Sequence, residues 1–95
     1  MIDLSPESAN SSLDRGRAYL GFEEPEQAIA DFTTGIRLRP DYSLLYRDRG
    51  KAYESLEDIE KAVADYEEYM RLAVSNDPAK EQVLNRLKTL KSEND

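Results

Sequence analysis

The sequence predicts an all-α fold built from tandem antiparallel helix pairs with a terminal capping helix. The segment RGRAYLGFEEPEQAIADF, from Arg15 to Phe32, returns 34 residues later as RGKAYESLEDIEKAVADY, from Arg49 to Tyr66. In both copies small and apolar residues recur at helical spacing, and breaker or capping residues divide the copy in two. A helix pair of this length cannot bury both its apolar faces alone. Stacked pairs must therefore share one continuous core.

Residues 1–8 precede the first copy of the repeated segment. Ile2 to Pro6 aligns with Ile36 to Pro40 at the same offset of 34 residues, so it is similar to the last turn of a preceding repeat. On that interpretation the chain is a piece of a longer array, and the apolar face around Leu13 and Tyr19 is incompletely covered. A short N-terminal extension is the alternative.

Each repeat is predicted to contain a first helix, a turn and a second helix. We expect repeats over residues 9–42 and 43–76. The first helices are predicted from Leu13 to Gly21 and from Leu44 to Ser55. The second helices are predicted from Glu26 to Leu38 and from Ile59 to Leu72, because apolar residues there occupy one helical face. Pro25 stands where a helix can start without losing a needed N–H.

Small residues at matching positions predict close contact between the two helices of each pair. Gly16 and Gly50, with Ala28 and Ala62, are the expected points of close approach, because larger side chains would push the two helices of a pair apart. Aromatic residues are expected to fill the remaining gaps: Tyr19, Phe32, Tyr53 and Tyr66.

A capping helix is predicted over residues 77–91, followed by a polar tail over 92–95. Pro78 to Leu90 carries one apolar stripe, with Asp77 as the expected N-cap and Pro78 as the first helical residue. Tyr69 stands where the first repeat has Gly35, so the second repeat is expected to meet something other than another standard repeat. We expect Tyr69 to lie near the start of the cap.

These residues resemble the tetratricopeptide repeat, whose pattern is W-x2-L-G-x2-Y, then A-x3-F, then P over 34 residues. The resemblance covers Ala9 to Asn76. Its signature is carried by Gly16, Tyr19, Ala28, Phe32 and Pro40 in the first repeat, and by Tyr46, Gly50, Tyr53, Ala62 and Tyr66 in the second.

Two kinds of departure from this pattern have structural consequences. Ser12 replaces the first aromatic residue and is too small to seal the first helix pair, and Val74 replaces the second closing proline. Arg15 and Arg49 replace the buried leucine. Each arginine could bury its stem and pair with an aspartate at the same offset in the second helix, Asp31 or Asp65. Two solvated charges are the alternative.

Composition excludes several classes of function. With 13 basic and 20 acidic residues the formal charge is −7, which disfavours nucleic acid and anionic membranes as partners. The chain has no cysteine and no histidine, so disulfides, zinc sites built on sulfur or imidazole, and the usual general base are excluded. No cofactor is expected. The N-terminus shows no signal-peptide pattern, and we expect a cytoplasmic protein.

Catalysis is not expected from the acidic residues of the turns. Two runs of carboxylates, at Glu23 to Glu26 and at Glu57 to Glu60, could in principle bind a hard cation. They lie at helix starts, where the helix dipole favours acidic residues, so we interpret them as structural and expect no metal. Paired acids, a nucleophile with its base and a phosphate-binding glycine loop are all absent.

The resemblance implies a protein-interaction module or scaffold with a groove lined by the first helices. The expected lining residues are Asn10, Leu13, Asp14, Arg17, Leu44, Arg47, Asp48, Lys51 and Glu54, with Gln82 and Asn85 from the cap. Asp14 with Arg17, and Asp48 with Lys51, have the spacing of local ion pairs. Because Arg17, Arg47 and Lys51 outnumber these aspartates, an acidic or mixed-charge peptide is the expected ligand. A solvated face without a ligand is the alternative.

Some family members hold the C-terminal carboxylate of heat-shock chaperones with basic and amide side chains in this groove. The matching positions here are Leu13, Arg17, Asp48, Pro78 and Gln82. Only Arg17 has a suitable charge, and Asp48 would repel a carboxylate, so this mode of binding is not expected.

Two further functions are compatible with the sequence. The segment could be a non-catalytic assembly or regulatory tail of a longer enzyme, which requires a catalytic domain elsewhere in the reading frame. It could also be a self-association module that forms a weak homodimer through the N-terminal face, because exposed apolar faces often mark interfaces. In each case the partner is a protein or peptide of unknown identity.

Overall fold

A computed structural model describes the chain from Ser5 to Glu93, and its side chains from Ala9 onward. The part described is all-α, as predicted, with helices α1 (Ser5–Gly21), α2 (Pro25–Leu38), α3 (Ser43–Ser55), α4 (Ile59–Leu72) and α5 (Ala79–Glu93). Helix α1 packs on α2, α3 packs on α4, α2 packs on α3, and α5 covers α4. None of these helices is long and apolar enough to cross a membrane.

The predicted N-terminal segment falls partly within helix α1. The helix begins at Ser5, so residues 5–8 are continuous with the first helix of the first repeat. Ile2 to Leu4 lie outside the described residues. The origin of this segment as the end of a preceding repeat stays a prediction.

The two turns inside the helix pairs have the same backbone conformation. Glu23 and Glu57 both have a φ of 60°, in the left-handed region that non-glycine residues seldom adopt. After each of them a backbone N–H bonds back to a helix carbonyl, Glu24 to Tyr19 and Asp58 to Tyr53. This arrangement satisfies carbonyl groups left free at the end of a helix. The sequence repeat is therefore also a repeat of local geometry.

The predicted close contacts within each helix pair are confirmed. Ala28 and Ala62 are completely buried. A Cβ atom added to Gly16 would lie 2.7 Å from Cδ1 of Phe32, and one added to Gly50 would lie 2.8 Å from Cε1 of Tyr66. Both positions therefore require glycine, because an aromatic ring of the second helix lies against the backbone of the first.

The first repeat is better covered than the sequence indicates. We expected an exposed apolar face under Leu13 and Tyr19, but Leu13 is only 4% exposed, so this expectation is wrong for that residue. Tyr19 is half-buried against the same core, and Ser12 is buried. The small Ser12 side chain lies beside Gly35, where the two helices come close together. A small residue here allows close packing instead of leaving a gap.

The arginines that replace the usual leucine form ion pairs inside each repeat, which is the first of the two alternatives that the sequence left open. Arg15 donates two hydrogen bonds to Asp31, at 2.9 and 2.7 Å, and Arg49 donates two to Asp65, both at 2.8 Å. Both aspartates are buried. Arg49 also donates to the hydroxyl of Thr33 at 3.2 Å, so the second of these pairs connects the two repeats.

The capping helix packs on the second repeat as predicted, and its first residue in the structure is Ala79 instead of Pro78. The Asp77 side chain accepts a hydrogen bond from the backbone N–H of Ala79 at 2.9 Å. Its other oxygen accepts the Tyr69 hydroxyl at 2.8 Å. Tyr69 is completely buried in one core cluster with residues of the apolar stripe, Val83, Leu87 and Leu90. One aspartate thus joins the end of the second repeat to the start of the cap.

Candidate functional site

A pocket opens between the first helix of the second repeat and the capping helix. Its volume is about 260 Å³, and its lining residues come from α3, α4 and α5: Arg47, Lys51, Glu54, Tyr66, Ala79, Gln82, Val83 and Arg86. On α3 the lining residues are four and three positions apart, and on α5 Ala79 and Arg86 each lie within four positions of the adjacent Gln82 and Val83, so each helix presents one face to the pocket. We call this the α3–α5 pocket.

The α3–α5 pocket combines an apolar floor with a basic rim. Tyr66 and Val83 are almost fully buried, and Ala79 is half-buried beside them. Of the described lining residues, three are cations, Arg47, Lys51 and Arg86, and one, Glu54, is a carboxylate. The whole chain carries a net charge of −7. The pocket therefore has the opposite charge to the molecule that contains it.

Glu54 is held in place by one residue from each of two other helices. The Tyr66 hydroxyl donates to one carboxylate oxygen. Arg86 donates from Nε to the other oxygen at 2.8 Å. Burial and the bond to Glu54 raise the pKa of the Tyr66 hydroxyl above its ordinary value of 10.0. Tyr66 therefore remains a hydrogen-bond donor at neutral pH.

A second charge network connects α1 to α3. Asp48 is only 2% exposed, and it accepts hydrogen bonds from Arg17 at 2.5 Å and from Arg47 at 3.3 Å. The local ion pairs predicted for Asp14 with Arg17 and for Asp48 with Lys51 are therefore wrong. Adjacent first helices bring Arg17 to a buried acceptor that lies 31 positions away in the chain. Within the described residues Lys51 forms no ion pair.

The remaining predicted groove residues occupy different environments. Leu13 belongs to the core of the first repeat and does not line an open groove. Leu44 is half-buried and packs against the cores of both repeats. Asn10 is exposed and accepts the Tyr42 hydroxyl at 2.8 Å. The other members of the set are exposed: Asp14, Gln82 and Asn85.

The structure brings four of the predicted residues together and adds four that were not predicted. Arg47, Lys51, Glu54 and Gln82 line one pocket, with Tyr66, Ala79, Val83 and Arg86. A signal for Arg86 was present in the sequence, because it follows Gln82 by four residues and so shares its helical face. Tyr66 was identified as a core residue. That its hydroxyl reaches the pocket follows only from the packing of α4 on α3.

The acidic runs in the turns do not form a metal site within Ala9 to Glu93. That part of the chain contains no group of three or more acidic side chains arranged to hold an ion. Asp58 instead caps α4, where its side chain accepts from the backbone N–H of Lys61 at 3.4 Å. Asp58 therefore has a structural role at the start of α4, whereas Glu24, at the start of α2, makes no such bond with its side chain.

Comparison with known proteins identifies the family. A family model described as tetratricopeptide repeat matches residues 9–42 and 45–80. A comparison with curated proteins gives no match. Solved structures of similar fold include the first TPR of Spaghetti (RPAP3) bound to HSP90 peptide SRMEEVD, with a TM-score of 0.80 and 25% identity. That match covers 90% of this chain and 64% of the other. The repeat signature, the five packed helices and these matches agree, and the chain belongs to the tetratricopeptide repeat family.

Proposed function

We propose that this protein is a non-catalytic interaction module that binds an acidic or mixed-charge peptide segment of a partner protein in the groove. The principal contact is the α3–α5 pocket. The observation that carries the proposal is the apolar floor of Tyr66 and Val83 under a rim of three cations, in a chain of net charge −7. Charge complementarity of this kind directs a ligand of opposite sign to its site.

Two parts of a peptide would contribute to binding in different ways. Burial of an apolar side chain against the floor would make the free energy of binding more favourable. A carboxylate near Lys51 would find an exposed cation that forms no ion pair within the described residues. Because the rim is open to solvent, the charged contact should affect specificity and association rate more than total affinity. Both contacts are available to an extended peptide lying along α3 and α5.

The similar structure of the first TPR of Spaghetti supports peptide binding in the groove. Its bound peptide, SRMEEVD, contains three acidic residues. In our protein the clamp positions named above do not favour a free C-terminal carboxylate. Leu13 is buried, and Arg17 is already paired with the buried Asp48. We therefore propose that an internal acidic segment is bound, without a requirement for the chain terminus.

The proposal is tested by reversing the charge of Lys51 and measuring peptide affinity by fluorescence anisotropy. The probes are SRMEEVD with a free C-terminus, the same peptide as an amide, and an end-blocked peptide of glutamate, alanine and leucine. Lys51→Glu should weaken binding of the blocked peptide about tenfold or more. The matched control is Lys88→Glu, which makes the same change in net charge on an exposed residue of α5 that does not line the pocket.

Salt and the peptide terminus provide two further checks on the proposal. Binding should weaken as added salt brings the Debye length below ~10 Å, because the rim cations Lys51 and Arg86 are exposed. Amidation of SRMEEVD should change its affinity little. Equal effects of Lys51→Glu and Lys88→Glu, or binding only with a free terminal carboxylate, would contradict the proposal.

The two other functions considered from the sequence stay predictions. The self-association hypothesis depends on an uncovered apolar face at the N-terminal end, and the burial of Leu13 makes that face smaller than expected. Sedimentation over a concentration series tests it directly. A role as an assembly or regulatory tail is tested by finding whether the full reading frame encodes a catalytic domain. Cytoplasmic localisation also stays a prediction.

A further inference from the structure

We infer that Glu54 sets the charge selectivity of the α3–α5 pocket by neutralising Arg86, so that a ligand carboxylate must compete with Glu54 for this arginine. The inference rests on the proposed function and names the residue that regulates it. The class of ligand it selects is a segment in which one carboxylate stands beside an apolar side chain. A segment with several adjacent carboxylates should bind the pocket less tightly while Glu54 is present.

One oxygen of Glu54 bonds to a buried donor, and the other bonds to a donor for which a ligand can compete. The Glu54 side chain is 17% exposed; one oxygen accepts the Tyr66 hydroxyl, and the other accepts both Nε and Nη2 of Arg86. Tyr66 is nearly fully buried, so a ligand in solvent has little access to it. The Arg86 side chain is 49% exposed, so a ligand can approach it from solvent. A competing carboxylate would therefore draw Arg86 away while Glu54 stayed bound to Tyr66.

The cations around the pocket differ in whether they already have an acidic partner. Arg47 bonds to Asp48, and Arg86 bonds to Glu54, so two of the three cations in the lining are already paired. Lys51 is the cation available to a first ligand carboxylate. A second carboxylate would have to break the bond between Arg86 and Glu54, and it would then lie close to Glu54. Repulsion between like charges opposes that arrangement.

The same ion pair also connects the cap to the second repeat, so a structural role has to be separated from selectivity. Glu54→Gln is the suitable variant, because the amide oxygen can still accept the Tyr66 hydroxyl while the charge is lost. Glu67→Gln is the matched control. Glu67 pairs with Lys91 at 2.6 Å on the surface between α4 and α5, and it does not line the pocket. Both variants change the net charge equally.

The experiment measures the affinities of two end-blocked peptides by fluorescence anisotropy. One contains several glutamates with alanine and leucine, and the other has glutamine in place of each glutamate. Glu54→Gln should raise the affinity of the acidic peptide about threefold to tenfold, because Arg86 becomes a second available cation. It should leave the affinity of the glutamine peptide unchanged. Adding Arg86→Gln to Glu54→Gln should abolish the gain.

The outcomes separate this inference from the proposed function. Equal affinities of Glu54→Gln and Glu67→Gln for the acidic peptide would overturn the inference and leave the proposed function intact. If Glu54→Gln weakened the binding of both peptides equally and lowered the melting temperature, the ion pair would have only a structural role. That result would also overturn the inference. If neither the wild type nor Glu54→Gln bound the acidic peptide, the inference and the proposed function would both fail.

Discussion

The two repeats have the same backbone plan, yet one accepts another repeat and the other accepts a capping helix. At the matching position the first repeat has Gly35, where an added Cβ would lie 2.9 Å from a methyl group of Leu45 in the next repeat. The second repeat has Tyr69, which is fully buried and bonds to Asp77. A small residue admits a following helix pair, whereas a large one fills that space and holds the cap.

The repeats also differ by a single hydroxyl group where the two helices of each pair meet. Phe32 and Tyr66 lie against Gly16 and Gly50 in the same way. Only Tyr66 carries a donor, and its hydroxyl reaches Glu54 at the α3–α5 pocket. At this position the aromatic ring provides the packing that both repeats share, and the hydroxyl of Tyr66 orients Glu54 in the pocket.

Deleting Asp77 to Asp95 should cause the largest loss of stability, because it removes the capping helix from the second repeat. The deletion removes the buried residues Val83, Leu87 and Leu90 and exposes Tyr69. Each buried aliphatic side chain contributes about 1.5–3 kcal/mol, so the expected loss is several kcal/mol, with aggregation. Light scattering and thermal melting measure it, and deletion of residues 92–95 is the control. A truncated chain as soluble and stable as the full one would show that the cap is a loose tail.

Tyr69→Ala tests the same contact with a smaller change. The variant should lower the free energy of unfolding by about 3–5 kcal/mol, because it leaves a cavity under the cap and removes the hydrogen bond to Asp77. Tyr69→Phe keeps the ring and should lose about 1 kcal/mol. Urea unfolding measures both. Equal losses in the two variants would mean that the hydroxyl, and not the volume of the side chain, attaches the cap.

Overpacking the contact within the second helix pair should have an intermediate effect. Gly50→Leu or Ala62→Leu should lower the free energy of unfolding by about 1–3 kcal/mol, because α3 and α4 lie too close together for a larger side chain at either position. Gly21→Ala is the control, since an added Cβ there meets nothing within 4 Å. Thermal melting measures all three. Unchanged melting temperatures in Gly50→Leu and Ala62→Leu would contradict the helix-pair packing.

The ion pairs inside the two repeats should differ in strength. Arg49 is 19% exposed, whereas Arg15 is 70% exposed, although their aspartate partners are both buried. Water screens the exposed pair more strongly. Asp65→Asn should therefore lower the free energy of unfolding by about 1–2 kcal/mol, and Asp31→Asn by less. Urea unfolding of the two variants measures the difference, and a larger loss in Asp31→Asn would reverse this comparison.

The smallest effect is the contribution of Asp77 to acid stability. Hydrogen bonds from the Ala79 N–H and from the Tyr69 hydroxyl lower the pKa of Asp77 below its ordinary value of 3.8. A lowered pKa stabilises the folded state above pH 3.8, and this contribution is lost as the pH falls through the lowered value. The melting temperatures of the wild type and Asp77→Asn should therefore converge below this pH. Asp41→Asn, in the turn between the repeats, is the control; an unchanged difference between wild type and Asp77→Asn would contradict the role of this cap.

Most of the fold could be predicted from the sequence, because its signals are local. Pro25 and Asp58 mark the starts of the two second helices, and the spacing of small and aromatic residues marks the buried faces. The cap was predicted from its apolar stripe and from Asp77. Arg15 and Arg49 could be paired with Asp31 and Asp65 because the same offset occurred twice in the sequence.

The candidate site could be predicted only in part. Positions on the first helices were identified by their spacing, and Arg47, Lys51, Glu54 and Gln82 do line one pocket. On the cap, Gln82 and Asn85 were predicted to line the groove, but Arg86 was not, because only the packing of α5 on the second repeat brings its side chain to Glu54. Leu13 was wrongly placed in the groove, since spacing gives the direction of a side chain but not what covers it.

The sequence by itself determined the helix pairs, their order and the points where they touch. These follow from the alternation of apolar and polar residues over a few turns and from glycine and alanine at the helix contacts. The tertiary structure alone decided which charges meet between the two repeats and between the second repeat and the cap. Arg17 reaches Asp48 across 31 positions and Arg86 reaches Glu54 across 32, and no local spacing encodes either pair. The physical reason is that long charged side chains pair according to the offset between stacked helices, and that offset is set by the packing of both cores together.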